Sequence, residues 1–341
     1  MTKGRGKVII YAKMANTNIK IRELTRELPN EQLELIAENE GNIFNTYSWL
    51  KLFGEKLVLF AIESGSGEIM GGLALFRENR LGLAYYRNPP YTPYAGPFVR
   101  IRAQNYAEKL HEWKKILSAL AEHLLRVNSS LISFTLNPGI IDTQPFIWSK
   151  FKVNPRYTYI LDLTMDINEI QKNMSSERRN EIRNAIKDGL IVRRIDEPGI
   201  IKGLIKKTFA RQNKALPHEK YLDKILFDFA TPDNSFLFAC FCDDKPTSGV
   251  FVVHDKHSAY LLLSGYDSET KHRGAGTYTL FEAIKYAQQL GLRYFDFEGS
   301  MVPNIEFFYR GFGGKLTPVF RISRATLILE LFLKFFRREI F

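Results

Sequence analysis

The chain has 341 residues, of which 45% are hydrophobic, 13% aromatic and 25% charged. That composition excludes intrinsically disordered and fibrous classes, and the length allows two cores of about 150 residues each. Lys and Arg number 48 against 37 Asp and Glu, a formal net charge of +11, which favours anionic partners without naming one.

At the start, the apolar run Val8-Ile9-Ile10-Tyr11 is cut short by Lys13, whereas a secretory signal needs roughly 7–15 apolar residues. The expectation is a cytoplasmic protein. Met14 precedes a more usual opening, so residues 1–13 read as a dispensable arm or an over-long start. Apolar spacing of helical period then marks helices near Asn30–Glu38 and Ser48–Phe53. Strands follow at Leu57–Glu63, Glu68–Arg77 and Arg80–Tyr86, the first two joined by a Ser-Gly-Ser-Gly turn. A proline-rich loop, Pro89–Pro97, leads to a long helix, Gln104–Arg126, and a strand, Leu131–Leu136. The long helix carries one apolar stripe, Tyr106, Leu110, Trp113, Leu117, Leu120 and Leu124, and so packs one face on a sheet.

Next comes a basic helix that Ser175 or Ser176 is suited to cap and that runs to Gly189. Beyond it, helices near Gly199–Gln212 and Tyr221–Phe229 precede strands Ser235–Cys242, Thr247–Val253 and Ser258–Ser264. A glycine-bearing loop 265–276, a helix Thr277–Leu290 and a strand Tyr294–Glu298 complete the series. This order repeats that of the first half. Leu59-Phe60-Ala61 answers Leu237-Phe238-Ala239, and Gly72 answers Gly249. An antiparallel meander, a helix and a further strand, made twice, predict an α+β protein of two similar domains, at 17–155 and 156–325. The tail Leu327–Phe341 reads as an amphipathic helix, too short to span a bilayer, which needs about 20 apolar residues. It suits either an interfacial contact with a membrane or docking on protein. The two cysteines, Cys240 and Cys242, supply neither a disulfide framework nor a four-ligand zinc site, and the six histidines show no metal-ligand spacing. No metal site and no tightly bound cofactor are expected.

The loop Lys271-His272-Arg273-Gly274-Ala275-Gly276, set between a strand and a helix, resembles the acyl-CoA pyrophosphate loop of the GNAT acyltransferase superfamily. Glycines there let backbone N–H groups approach phosphate at a helix N-terminus. More specific is Tyr294-Phe295-Asp296-Phe297-Glu298-Gly299-Ser300 followed by Ile305-Glu306-Phe307-Phe308-Tyr309-Arg310-Gly311. This stretch is similar to the closing signature of the Fem-like branch of double-GNAT transferases. The helix from Arg179 to Gly189, the pair Phe44 and Trp49, and the loop Pro90–Pro97 add further likeness, over roughly residues 44–320. The resemblance implies tandem duplicated GNAT-like domains, with a mixed sheet and flanking helices. It also implies an amide formed on an amine acceptor, such as a peptidoglycan precursor of the cell envelope. The donor is a co-substrate, acyl-CoA or aminoacyl-tRNA. Fem enzymes often place Lys where this chain has Tyr309, so the donor stays open. An acyl-CoA N-acyltransferase of amino-sugars or small amines, and a non-catalytic scaffold of the same fold, are the alternatives.

Acyl transfer to an amine needs a base, donors for the developing oxyanion and an acid for the leaving group. Strand alternation puts Asp296 and Glu298 on one face. Glu298 is the candidate base and Asp296 its companion, while Tyr309 is the candidate acid through its neutral phenol. Ser264, Gly265 and Tyr266 end the strand where GNAT relatives bind the acyl group through backbone. Lys271, Arg273, Gly274 and Gly276 are the loop candidates for donor phosphates. Trp49 and Tyr94 are candidate acceptor contacts, and Arg179, Arg183 and Arg310 candidate substrate-binding cations. The basic helix also suits a tRNA acceptor stem.

Overall fold

Two antiparallel meanders in matching register organise the chain. The computed structural model describes residues 19–24, 30–270, 272–299 and 301–336; the arm 1–13, Lys271 and the tail beyond Phe336 lie outside these. The first half runs β1 (Lys20–Leu24), α1 (Glu31–Glu40), α2 (Tyr47–Leu50), β2 (Leu57–Glu63), β3 (Ile69–Arg80), β4 (Leu83–Arg87), β5 (Phe98–Val99), α3 (Tyr106–Arg126), β6 (Leu131–Thr135) and α4 (Gln144–Trp148). A central strand β7 (Lys152–Asp162) leads through α5 (Ile167–Asn173) and α6 (Ser176–Lys187) to the second half. That half comprises β8 (Ile191–Ile195), α7 (Pro198–Ala210), α8 (Glu219–Asp223), β9 (Ser235–Cys242), β10 (Lys245–His254), β11 (Ser258–Tyr266), α9 (Ala275–Gln289) and β12 (Tyr294–Asp296). The chain closes with α10 (Pro303–Arg310), β13 (Lys315–Ala325) and α11 (Leu327–Phe336).

The duplication holds residue by residue. In the first meander Ala61 lies opposite Gly72 and also opposite Arg22 of β1. In the second, Ala239 lies opposite Gly249 and opposite Arg193 of β8. Register in a strand fixes which face each side chain takes, so both halves point equivalent residues the same way.

Five layers follow from this patterning. On one side α3 packs Leu117, Leu120 and Leu124 against Phe60, Leu73 and Phe134. On the other, α9 packs Leu280, Ile284 and Ala287 against Phe238, Val252 and Phe295. Between the two halves lies one shared core, in which Ile36, Phe44 and Trp49 meet Ile201, Leu222 and Phe229. Each such side chain contributes roughly 1.5–3 kcal/mol on burial, so this core fastens the halves together.

All thirteen strands among the described residues form one sheet. Its order is β1-β2-β3-β4-β6-β13-β7-β12-β11-β10-β9-β8, with β5 on β3. The last strand of the chain, β13, therefore sits in the middle, antiparallel to β6 on one side and to β7 on the other. Sequence reading does not anticipate β7 or β13. The boundary it places at 155/156 falls inside β7.

Candidate functional site

The site forms where two parallel strands part. In the second half β11 pairs with β12 only over Ser258–Tyr260, and its remaining six residues run on to Tyr266 beyond the end of β12. The strand expected over 294–298 stops at Asp296. Glu298 and Gly299 then take left-handed backbone, at φ 56° and 66°. A Cβ at position 299 would lie 2.0 Å from the Tyr157 carbonyl oxygen, so only glycine fits this turn. The turn folds Glu298 back, and its N–H donates to Asp296 Oδ1 at 2.7 Å.

Asp296 is 2% exposed. Besides that N–H it accepts from Thr158 Oγ1 of β7 at 2.5 Å and from the Tyr94 hydroxyl of the first half at 2.8 Å. Burial pushes its carboxyl up to about 6 although all three hydrogen bonds favour the charged form. Glu298 differs, because its Oε1 is buried without a hydrogen-bond partner. Burial, followed by the nearby charge of Asp296, holds its carboxyl well above the usual range. Tyr309 lies with its ring 5.5 Å from Phe297 and its hydroxyl beside Ser264. Burial pushes its phenol up to about 12, with the Glu298 charge adding to the shift. Three predicted residues, Glu298, Tyr309 and Ser264, thus meet at the mouth of the parted strands, with Asp296 and Tyr94 behind them.

A cavity of about 160 Å³ opens on this cluster, lined by Tyr94, Thr135, Arg156, Tyr157, Glu298 and Val319 among others. A second, of about 320 Å³, shares Pro93, Thr135 and Arg321 with it and adds Arg87 and Ser133. Chemically, a carboxylate of raised basicity, a neutral phenol and a row of guanidinium groups suit proton removal from an amine beside an anionic molecule.

Residues 175–304 match the family model described as an acetyltransferase (GNAT) domain. The solved structure of FemX superposes with a TM-score of 0.66 at 15% identity, over 91% of this chain and 98% of that one. L-PGS from Bacillus licheniformis gives 0.55 at 13%, over 92% and 98%. A tandem GNAT protein from the clavulanic acid biosynthesis pathway gives 0.51 at 11%, over 90% and 98%. The chain has the double-GNAT fold. Its second half matches the GNAT acetyltransferase domain over residues 175–304, and the fold of FemX extends over almost its whole length. No curated protein matches the sequence.

Other predicted residues take different places. Trp49 is fully buried in the shared core, edge-on to Phe44 and Phe229, and donates its indole N–H to Thr92 Oγ1 at 2.9 Å. It supports the Pro90–Pro97 loop and does not face the cavity. Gly265 is pressed on α7, where a Cβ would lie 2.6 Å from Ile205 N. Tyr266 is held through its backbone, which exchanges hydrogen bonds with Thr208 Oγ1. The glycine loop is not an open phosphate cradle. A Cβ on Gly274 would lie 2.2 Å from the Glu181 carbonyl of α6, and Arg273 is paired with Glu177 and Glu181. The two carboxylates hold Arg178 and Arg273 in ion pairs beside the start of α9, and Gly276 faces open space. Arg179 bonds the Lys172 and Met174 carbonyls, Arg183 bonds Asn180, and Arg310 pairs with Glu306.

Sequence reasoning passed over Arg178, the arginine of α6 that turns inward. Its side chain is 7% exposed, 2.8 Å from Glu181 and stacked on Phe308 at 4.9 Å. The signal is present in the spacing, since Arg178 shares a helix face with Ile182 and Ala185, whereas Arg179 and Arg183 lie off it. Thr158, Arg156 and Arg321 were also missed, because they stand on the two unforeseen central strands. Among the described residues no group of three or more His, Cys, Asp and Glu side chains is placed to hold a metal.

Proposed function

We propose that this double-GNAT protein forms an amide, transferring an acyl or aminoacyl group from an ester or thioester donor at the parted strands to an amine in the adjoining cavity. The observation that carries the reading is Glu298: a buried carboxyl oxygen with no protein partner, facing a cavity and kept basic by its surroundings. The amine nitrogen attacks the donor carbonyl and its proton passes to Glu298. The Tyr309 hydroxyl gives its proton to the departing ribose oxygen or thiolate. Glu298 then returns a proton to the phenolate, which restores both groups. Arg156 and Arg321 line the acceptor cavity, and Arg87, paired with Glu78, stands in the adjoining one; this basic lining favours an anionic acceptor such as a cell-envelope precursor.

The basic helix α6, with Arg179, Arg183 and Lys187, supports aminoacyl-tRNA as the donor, bound at the cytoplasmic side. Acyl-CoA is the second reading, supported by the open approach to Gly276. The test is to incubate the full chain with acetyl-CoA, longer acyl-CoAs and charged tRNA, with an amine acceptor, and follow donor and acceptor by mass spectrometry. The expected result is loss of one donor with the matching mass gain on the acceptor. A folded protein that consumes none of them refutes the catalytic reading and leaves a scaffold.

A further inference from the structure

The final helix, α11, is seated the wrong way round for a helix in water. Its residues Leu327, Ile328, Leu331, Phe332, Phe335 and Phe336 are between 55% and 85% exposed. They recur at spacings of one and four and so form a single stripe along the helix. The narrow opposite edge makes the attachment: Leu333 is buried, and Glu330 bridges Lys152 of β7 at 2.6 Å and Lys334 at 3.1 Å. A surface helix of a soluble domain buries its apolar stripe and shows its polar edge. Here the arrangement is reversed, and an ion pair to the central sheet holds it.

We propose that α11 is an interfacial helix that seats the protein on an anionic lipid surface. Charge complements the stripe. Arg324 precedes the helix and is exposed, Lys334 lies within it, and Arg337 and Arg338 follow in the sequence, while the carboxylate of Glu330 is already neutralised by two lysines. Large apolar residues flanked by Lys and Arg are the combination that enters the boundary between acyl chains and acidic headgroups. Among the described residues no helix is long and apolar enough to cross a membrane, so the helix lies along the surface. At 1.5 Å per residue it is about 15 Å long, a small face to supply the roughly 800 Å² per partner of a stable dimer. The proposal stands apart from the acyl-transfer reading, since none of these residues lines the cavity.

The experiment is co-sedimentation of the full chain with vesicles of phosphatidylglycerol and phosphatidylcholine in equal parts, against vesicles of phosphatidylcholine alone. The comparison protein is the double variant Phe332→Asp with Phe335→Asp, both exposed positions, its fold checked by circular dichroism. The wild-type protein is expected to pellet at least about tenfold more strongly with the anionic vesicles. The double variant falls to the level seen with phosphatidylcholine. Turnover of a soluble donor in the absence of vesicles is unchanged by the variant. Absence of wild-type binding to the anionic vesicles, or equal binding by the double variant, overturns the proposal. So does a dimer in sedimentation velocity that the same variant dissolves, which assigns the stripe to a second copy of the chain.

Discussion

The two halves of this molecule share one plan and divide its uses. Each has a parallel strand pair that parts after three residues: β4 with β6 at Tyr85–Arg87, and β11 with β12 at Ser258–Tyr260. In the first half the gap is filled. Asn88 accepts from the Thr135 N–H at 2.9 Å and donates to the Thr92 and Pro93 carbonyls, while the Ala95 N–H donates to the Thr135 carbonyl. In the second half β11 runs on and the gap is open at Ser264. The helices that follow differ likewise. The side chain of Asn105 caps α3, whereas α9 begins at Gly274 with no side-chain cap. The same scaffold thus supplies a plugged site that lends Tyr94 and an open site that bears the carboxylates. What separates the two sites is the closing of one gap by an asparagine and a proline-rich loop, and not the fold.

The largest expected effect tests whether the chemistry belongs to the second half. Glu298→Gln keeps the shape and removes the base, and kcat should fall by roughly 10²–10⁴ with the far-ultraviolet spectrum unchanged. Full turnover removes Glu298 from the mechanism. Next, the turns of the two halves can be set against each other. Gly299→Ala, which meets the Tyr157 carbonyl, should cost roughly 3–4 kcal/mol in urea unfolding. Gly82→Ala also has a positive φ, 77°, but meets nothing within 4 Å, and should cost about 1 kcal/mol. Equal losses at the two turns contradict the close packing at Gly299.

Linkage gives an effect of similar size. Asp296 binds its proton more tightly folded, at about 6, than its ordinary value of 3.8 allows. Its stabilising contribution is therefore complete below about pH 4 and is lost as pH rises through about 6. The loss is on the order of 3 kcal/mol. Urea midpoints should fall between about pH 4 and pH 6 and level off above about pH 7, and Asp296→Asn should flatten that slope. The smallest effect belongs to Tyr94→Phe, which deletes one of three hydrogen bonds to Asp296 at about 1 kcal/mol and should lower kcat by less than about tenfold. A much larger fall makes the first half a party to the chemistry itself.

The meanders were legible because their strands are nearly unbroken apolar runs bounded by turns, and even the register shows in the paired Ala61–Gly72 and Ala239–Gly249. The central strands were not. β7 contains Pro155 and β13 contains Pro318, and proline argues against an interior strand. Both are tolerated for one reason: β12 pairs with β7 only at Ile160–Asp162 and β6 with β13 only at Arg321–Ala325, so each proline has a strand neighbour on one side alone. Those strands also present Arg156 and Arg321 to the cavity and Thr158 to the buried Asp296, which erases the apolar alternation that marks a half-buried strand. At the site, the signature around Asp296 and Tyr309 could be read, and alternation suggested its two carboxylates. The left-handed turn at Glu298 and the hydrogen bond from Tyr94 could not, since the first depends on contact with Tyr157 and the second on a partner 202 residues away.

The insertion of β13 between β6 and β7 makes the order of synthesis matter. Nearly everything else in the sheet is complete before Lys315 emerges from the ribosome, yet until then β6 and β7 present bare edges to one another and to any neighbouring chain. The cavity wall that carries Val319 and Arg321 does not exist in a chain broken off earlier. Placement of β13 at the centre thus makes the two halves of the sheet and the cavity wall depend on one late segment: a polypeptide lacking it is left with two exposed edges and an unwalled cavity.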